Sequence, residues 1–185
     1  MKKYLMTLAA VLCCAMATTV LTACGSDDDK GNTSTSDTTT PKKVAFTFYY
    51  YNTTDMVKYC NVELSYDDGK GNKKTVVLTE DMGGNQYIDL SSELPATFKF
   101  TRKITLKQDI SSLEKFDYDN RFASSYDLYN AQGNKINSVD KTITGKSGTP
   151  QGSDKVAKFA ESVSKGFLDY EKTFTFNAKG ELVAI

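Results

Sequence analysis

Histidine is absent from this chain, and so is tryptophan. The first absence removes the commonest general base near neutral pH and the commonest transition-metal ligand. Nucleophilic catalysis would have to rest on a Ser-Lys pair or a carboxylate, and no nucleophile-elbow pattern is present. Net charge is also missing: 23 basic side chains stand against 23 acidic ones, which gives no reason to expect a nucleic-acid partner. Cysteine is nearly absent from the part of the chain that can fold. Cys13 and Cys14 lie in an apolar N-terminal run and Cys24 ends it, so the remainder keeps Cys60 alone and cannot form an internal disulfide. Its stability must come from its core. What the sequence has instead is aromatic weight, 11 Tyr and 10 Phe, and that composition suits half-buried pleated surfaces.

The N-terminus reads as an address. Lys2 and Lys3 form a short positive end, Tyr4 to Val20 is apolar, and the run closes on Leu21-Thr22-Ala23-Cys24. The layout is that of a secretory signal, too short and too rich in small residues at its end for a membrane span. Leu-Thr-Ala-Cys resembles a lipobox, which implies cleavage after residue 23 and acylation of Cys24 with diacylglyceryl and palmitate-type chains. Each buried acyl methylene contributes about 0.8 kcal/mol, so two or three chains would hold the protein on a membrane. The following Gly25-Ser26-Asp27-Asp28-Asp29-Lys30 resembles the acidic export tag of Bacteroidota-type surface lipoproteins, which implies an outer-membrane position facing outward; a periplasm-facing position is the alternative. Residues 31–40 are Thr, Ser, Asn, Asp and Gly, too poor in apolar groups to offset chain entropy. Residues 24–41 therefore read as a lipidated tether, and a coil of roughly 17 residues spans about 20 to 25 Å.

From residue 42 to 185 the pattern is that of one β-rich domain. Val44, Phe46, Phe48 and Tyr50 alternate with Ala45, Thr47, Tyr49 and Tyr51, aromatics on both faces, as in a strand interior to a sheet. Met56, Cys60, Val62, Leu64 and Tyr66 form the next apolar row. Asp67 to Asn72 carries the Gly and Asn of a hairpin loop, with Lys74 to Thr79 returning. Its adjacent Asp67 and Asp68 lack the alternating ligands of a calcium loop, so turn chemistry is expected there and no metal. Gln86 to Leu90 is a short strand. Phe98, Phe100, Ile104 and Leu106 then alternate with Lys99, Lys103, Lys107 and threonines, one face packed and one wet. Arg102 interrupts that apolar row and marks a bulge, a strand end or a paired charge.

Phe116 to Asn120 and Phe122 to Tyr129 read as weaker strands, followed by a turn and a return through Ile136. Asp140 to Gly152 reads as a mobile loop. The period then becomes helical, with Val156, Phe159, Ala160, Val163 and Phe167 between a Ser153 or Asp154 cap and a stop at Gly166. A hairpin turning at Asn177 to Gly180 ends the chain. Short turns about every ten residues and one late amphipathic helix predict an antiparallel β-sandwich, immunoglobulin-like in the leading reading, or a partly open barrel.

No residue pattern nominates an active site, a cofactor or a catalytic pair. A hydrolase built on paired carboxylates is the least supported reading, because Asp and Glu fall in turns and on wet strand positions. A binding module is favoured, with Tyr49 and Tyr51 as candidate contacts to a glycan or an envelope protein. In the competing reading Tyr50 packs inside while Tyr49 and Tyr51 cover a second face beneath the helix. A third reading is assembly into an envelope complex by strand addition at a long open sheet edge, which a lysine row on the rim would block. The sequence sets no oligomeric state. The anchor is directly testable: Cys24→Ala should move the protein out of the membrane pellet after detergent-free washing, and its retention there would refute lipidation.

Overall fold

The computed structural model describes residues 38–184. The leader, Cys24 and the tether through residue 37 lie outside the described residues. β1 (Lys43–Asn52) is extended because apolar side chains recur at every second position, and Val44, Phe46, Phe48 and Tyr50 are all buried. It lies inside a four-stranded antiparallel sheet, flanked by β4 (Gly84–Glu93) and β7 (Phe122–Tyr129), with β8 (Lys135–Thr144) outside β7. A second antiparallel sheet of five strands has β5 (Ala96–Leu106) at its centre. On one side stand β10 (Tyr170–Phe176) and β11 (Leu182–Ala184), on the other β2 (Cys60–Asp67) and β3 (Lys73–Val77).

The two sheets meet through phenylalanine. Phe46 and Phe48 of β1 stack on Phe98 and Phe100 of β5 at centroid distances of 5.1 and 4.0 Å, and Phe174 of β10 lies 4.8 Å from Phe46. The expected antiparallel sandwich with one late helix is thus the fold. Its strand order is finer information than periodicity carries: β1 and β2, neighbours in an immunoglobulin-type sheet, belong here to opposite sheets.

Several local expectations change. Met56 belongs to a single-turn helix, α1 (Thr54–Tyr59), whose start is capped by Thr53, the hydroxyl accepting from the Met56 N–H at 3.1 Å. Residues 140–144 belong to β8, and Ser147–Gly148 forms a short strand, β9, against β6 (Tyr118–Asp119). The expected loop is shorter than its composition implied, because Thr142 to Thr144 pair with Ser124 to Phe122 of β7. The strand at 116–120 shrinks to β6, and the one at 86–90 grows to ten residues. The late helix α2 (Ser153–Ser164) buries Val156, Phe159, Ala160 and Val163, as its spacing dictates. Gly152, not Ser153 or Asp154, takes its N-cap position without a side-chain bond. The stop at Gly166 is a Schellman turn, with the Phe167 N–H on the Ser162 carbonyl and the Gly166 N–H on that of Val163.

The Asp67–Asn72 loop confirms turn chemistry. Asp67 Oδ1 accepts from the N–H groups of Gly69 and Gly71, and Asp68 Oδ1 from those of Lys70 and Asn72. Gly69 has φ +76°, and a Cβ there would lie 2.7 Å from the Phe98 ring, so no larger residue fits. Cys60 is buried and unpaired, and burial pushes its thiol up to about 11.

Arg102 is neither at a bulge nor at a strand end: the ladder runs through it, opposite Tyr170 on one side and Leu64 on the other. It points into the sandwich with no solvent exposure. Its Nε and Nη2 donate to the Leu168 carbonyl at 3.2 and 2.9 Å, and its Nη1 to the carbonyls of Tyr51 and Asp119 at 3.1 and 3.3 Å. Nη2 also donates to Asn120 Oδ1. The guanidinium lies 4.5 Å from the Tyr170 ring centroid. The charge is therefore met by neutral oxygens and a π face rather than by a carboxylate in contact, and one side chain ties β5 to β1, β6 and the segment after α2. Burial lowers its pKa, while nearby Tyr170, Asp119 and Asp169 oppose that effect. Each buried carbonyl left without its donor costs about 1 to 3 kcal/mol. Arg102→Met should accordingly lose about 3 kcal/mol or more, read as a fall in the urea midpoint. Arg102→Lys, which keeps charge but not the planar fork, should also be destabilised. A midpoint unchanged in both variants would contradict this assignment.

Candidate functional site

On the outer face of the four-stranded sheet, register places Tyr87 of β4 opposite Tyr49 of β1, Tyr49 opposite Ala123 of β7, and Ala123 opposite Ile143 of β8. This makes a row of apolar and aromatic groups straight across the sheet. Tyr87 is 64% exposed and Ile143 53%, both large for side chains of this kind. The Tyr49 and Tyr87 rings stand 6.2 Å apart, tilted by 46°. Lys141 folds back over the row, its Nζ 4.2 Å from the Tyr49 ring centroid and 5.1 Å from that of Tyr51.

Polar groups border the row on one side. The Thr47 hydroxyl donates to Asp89 at 2.6 Å. Asp127 accepts from the Ser138 hydroxyl, from Lys135 at 3.5 Å and from the Tyr129 hydroxyl at 3.4 Å. The Ser138 bond first, and then the Lys135 charge, hold the Asp127 carboxyl below the usual carboxylate range. Ala45, Thr47, Tyr49, Ser125, Asp127 and Lys141 line a shallow depression of about 250 Å³ beside the aromatic row. A carboxylate, hydroxyls and an ammonium around phenol rings can orient a polar ligand by hydrogen bonds while the rings cover its flat side.

The two tyrosines singled out by sequence have different fates. Tyr49 lines the depression. Tyr51 points to the same face yet is only 4% exposed, covered by Arg121, whose guanidinium sits 5.0 Å from its ring, and by Lys141. Its buried hydroxyl has no hydrogen-bond partner among the described residues. The cover over these rings is therefore basic side chains rather than α2, whose Phe159 stacks instead on Tyr118 at 4.8 Å. Sequence reasoning missed Tyr87 and Lys141. Tyr87 is legible as the outward member of the 86–90 alternation; Lys141 falls in a stretch whose composition reads as a loop.

A larger depression of about 390 Å³ lies on the outer face of the five-stranded sheet, lined by Glu63, Tyr66, Lys73, Lys99, Lys103 and Glu171 among others. The lysine row sits here, on the central strand and away from the rim. Its charges alternate in sign, and Lys99 is already bound to Glu171 at 2.6 Å in an exposed pair. That surface reads as a solvated sheet face. Among the described residues no three His, Cys, Asp or Glu side chains are grouped as a metal ion would need. No described helix is long and apolar enough to cross a membrane.

The site distinguishes its two tyrosines by stability. Tyr87→Ala should change the unfolding free energy measured in urea by less than about 0.5 kcal/mol, as exposed positions do, whereas Tyr51→Ala should cost about 3 kcal/mol or more. Equal costs would contradict the burial described. Comparison with protein-family models, with characterised proteins and with solved structures finds no match to this chain.

Proposed function

We propose that the chain is a lipid-anchored envelope protein that presents a small β-sandwich on the outer side of an outer membrane and binds a glycan or an envelope protein there. The anchor part of this reading rests on the lipobox-like Leu21 to Cys24, the acidic run behind it and the Thr/Ser-rich tether. The binding part rests on one observation: the exposed Tyr87 and the partly exposed Tyr49 form an aromatic pair beside a polar depression on the outer sheet face. Exposed aromatics flanked by hydrogen-bonding groups are what such ligands select.

The experiment is a glycan and envelope-protein binding screen on the mature chain in detergent, with Tyr87→Ala and Lys141→Ala as the paired variants. Saturable binding reduced at least tenfold by either change supports the reading. Binding that both variants leave intact assigns the ligand to another surface, and no binding across the screen removes the module reading. A second reading, a structural component of an envelope complex, is favoured by a separate observation: β4 is a ten-residue strand that, among the described residues, pairs only with β1.

A further inference from the structure

Four strands end the two main sheets, and three of them are guarded. β3 is five residues long and carries Lys73 and Lys74, and β11 has only three residues. β8 is long, but its ladder with β7 shifts register twice and it carries Lys135 and Lys141. Bulges, lysines and shortness are the devices by which sheet edges avoid pairing with another chain. β4 has none of them. Its ladder with β1 runs unbroken through ten pairs, from Asn52 opposite Gly84 to Lys43 opposite Glu93, and it contains neither lysine nor proline.

The backbone of that edge is open at every second residue. The Leu94 N–H donates to the Lys42 carbonyl at 2.9 Å, which extends the β1–β4 ladder by one pair and sets its phase. In an antiparallel ladder the bonded and non-bonded pairs alternate, so Gly84, Gln86, Ile88, Leu90 and Ser92 spend their N–H and C=O groups on β1. Asn85, Tyr87, Asp89, Ser91 and Glu93 aim theirs away from it, and no described residue takes them. Ile88 and Leu90, which point inward and pack against the core, remain partly exposed, with no described strand beyond them.

We infer that β4 is the pairing edge of a two-fold dimer in which two copies of this chain join antiparallel about Ile88 and merge their four-stranded sheets into one. A second copy fits because the strand is complementary to itself in this register. Tyr87 faces Asp89 of the other copy and Asn85 faces Ser91, all four with free backbone groups, so each pair exchanges both bonds. Ile88 meets its own counterpart, Gln86 meets Leu90, and no like charges stand opposite each other. Inward residues stay inward, so the partly exposed Ile88 and Leu90 are covered by Ile88 and Gln86 of the other copy. Such an isologous contact closes on itself. This inference develops the assembly reading and is independent of any ligand on the tyrosine face.

The test is made on the full chain in its own membranes. Ile88 faces its counterpart in a non-bonded pair, where the Cα atoms of an antiparallel ladder approach to about 4.5 Å, within reach of a disulfide. Ile88→Cys should therefore give a disulfide-linked dimer of this chain on mild oxidation, seen on a non-reducing gel and absent from the parent. Ile143→Cys, on the guarded edge, should give at least tenfold less. Adding Ser91→Pro places a ring where the second strand must approach and removes an N–H that β1 does not use. It should keep the circular dichroism of the parent and reduce the Ile88 link at least tenfold. Links no stronger at residue 88 than at 143, links to a different protein, or links that survive Ser91→Pro in a folded chain would each overturn the inference.

Discussion

A single buried cation holds this sandwich in one arrangement. Arg102 occupies a position where period two demands an apolar side chain, at the centre of the five-stranded sheet, and it reaches across the interior to the Tyr51 carbonyl at the end of β1. Burying an ion costs far more than burying a leucine unless every donor is satisfied. Here the fork is met from several directions, by Leu168 after the helix, Asp119 and Asn120 beside β6, and Tyr51 in the opposite sheet. Phenylalanine stacking supplies attraction between the sheets, yet it is non-directional and tolerates sliding. The guanidinium supplies direction, because its five N–H groups fit only one placement of those oxygens.

That placement governs the outer face as well. Tyr51 is buried where β1 leaves the sheet, and its backbone N–H donates to the Arg121 carbonyl, two residues past Asp119. Arg121 in turn grips the Asp119 carboxylate at 2.7 Å and lies over the Tyr51 ring. The chain from Asp119 to Arg121 is thus pinned on both sides of the four-stranded sheet: its carbonyl inside on Arg102, its charged pair outside on Tyr51. One pleat further along, Tyr49 is partly covered by Lys141 and only Tyr87 stands open. The candidate ligand face and the open β4 edge both follow from a sheet whose ends are fixed by Arg102 and whose middle strand is fixed by Phe46 and Phe48.

Local period made much of this legible. β1, the hairpin at Asp67 to Asn72, β5, the helix face of Val156, Phe159, Ala160 and Val163, and the terminal hairpin all follow from contacts between residues close in sequence. Where two signals shared a segment the reading slipped. Met56 and Cys60 are four apart, a helical spacing, but they were absorbed into the strand that begins at Cys60. The far half of β8 was hidden because its register shift against Ser124 and Tyr126 breaks the alternation of Val139 and Ile143. Of the site, Tyr49 was visible on its own, whereas its pairing with Tyr87 and its cover by Lys141 depend on strand order, which no local pattern encodes. The same limit applied to Arg102: its anomaly was plain in the sequence, but its oxygen partners lie 17 to 66 residues away.

The most direct measurement of this arrangement is nitrogen-15 NMR of the Arg102 side chain in the folded protein. A guanidinium held by bonds on Nε, Nη1 and Nη2 inside the sandwich should show an Nε–H that exchanges slowly with solvent and Nη signals that remain distinct. A single averaged Nη signal, with Nε–H exchange as fast as that of free arginine, would contradict the account.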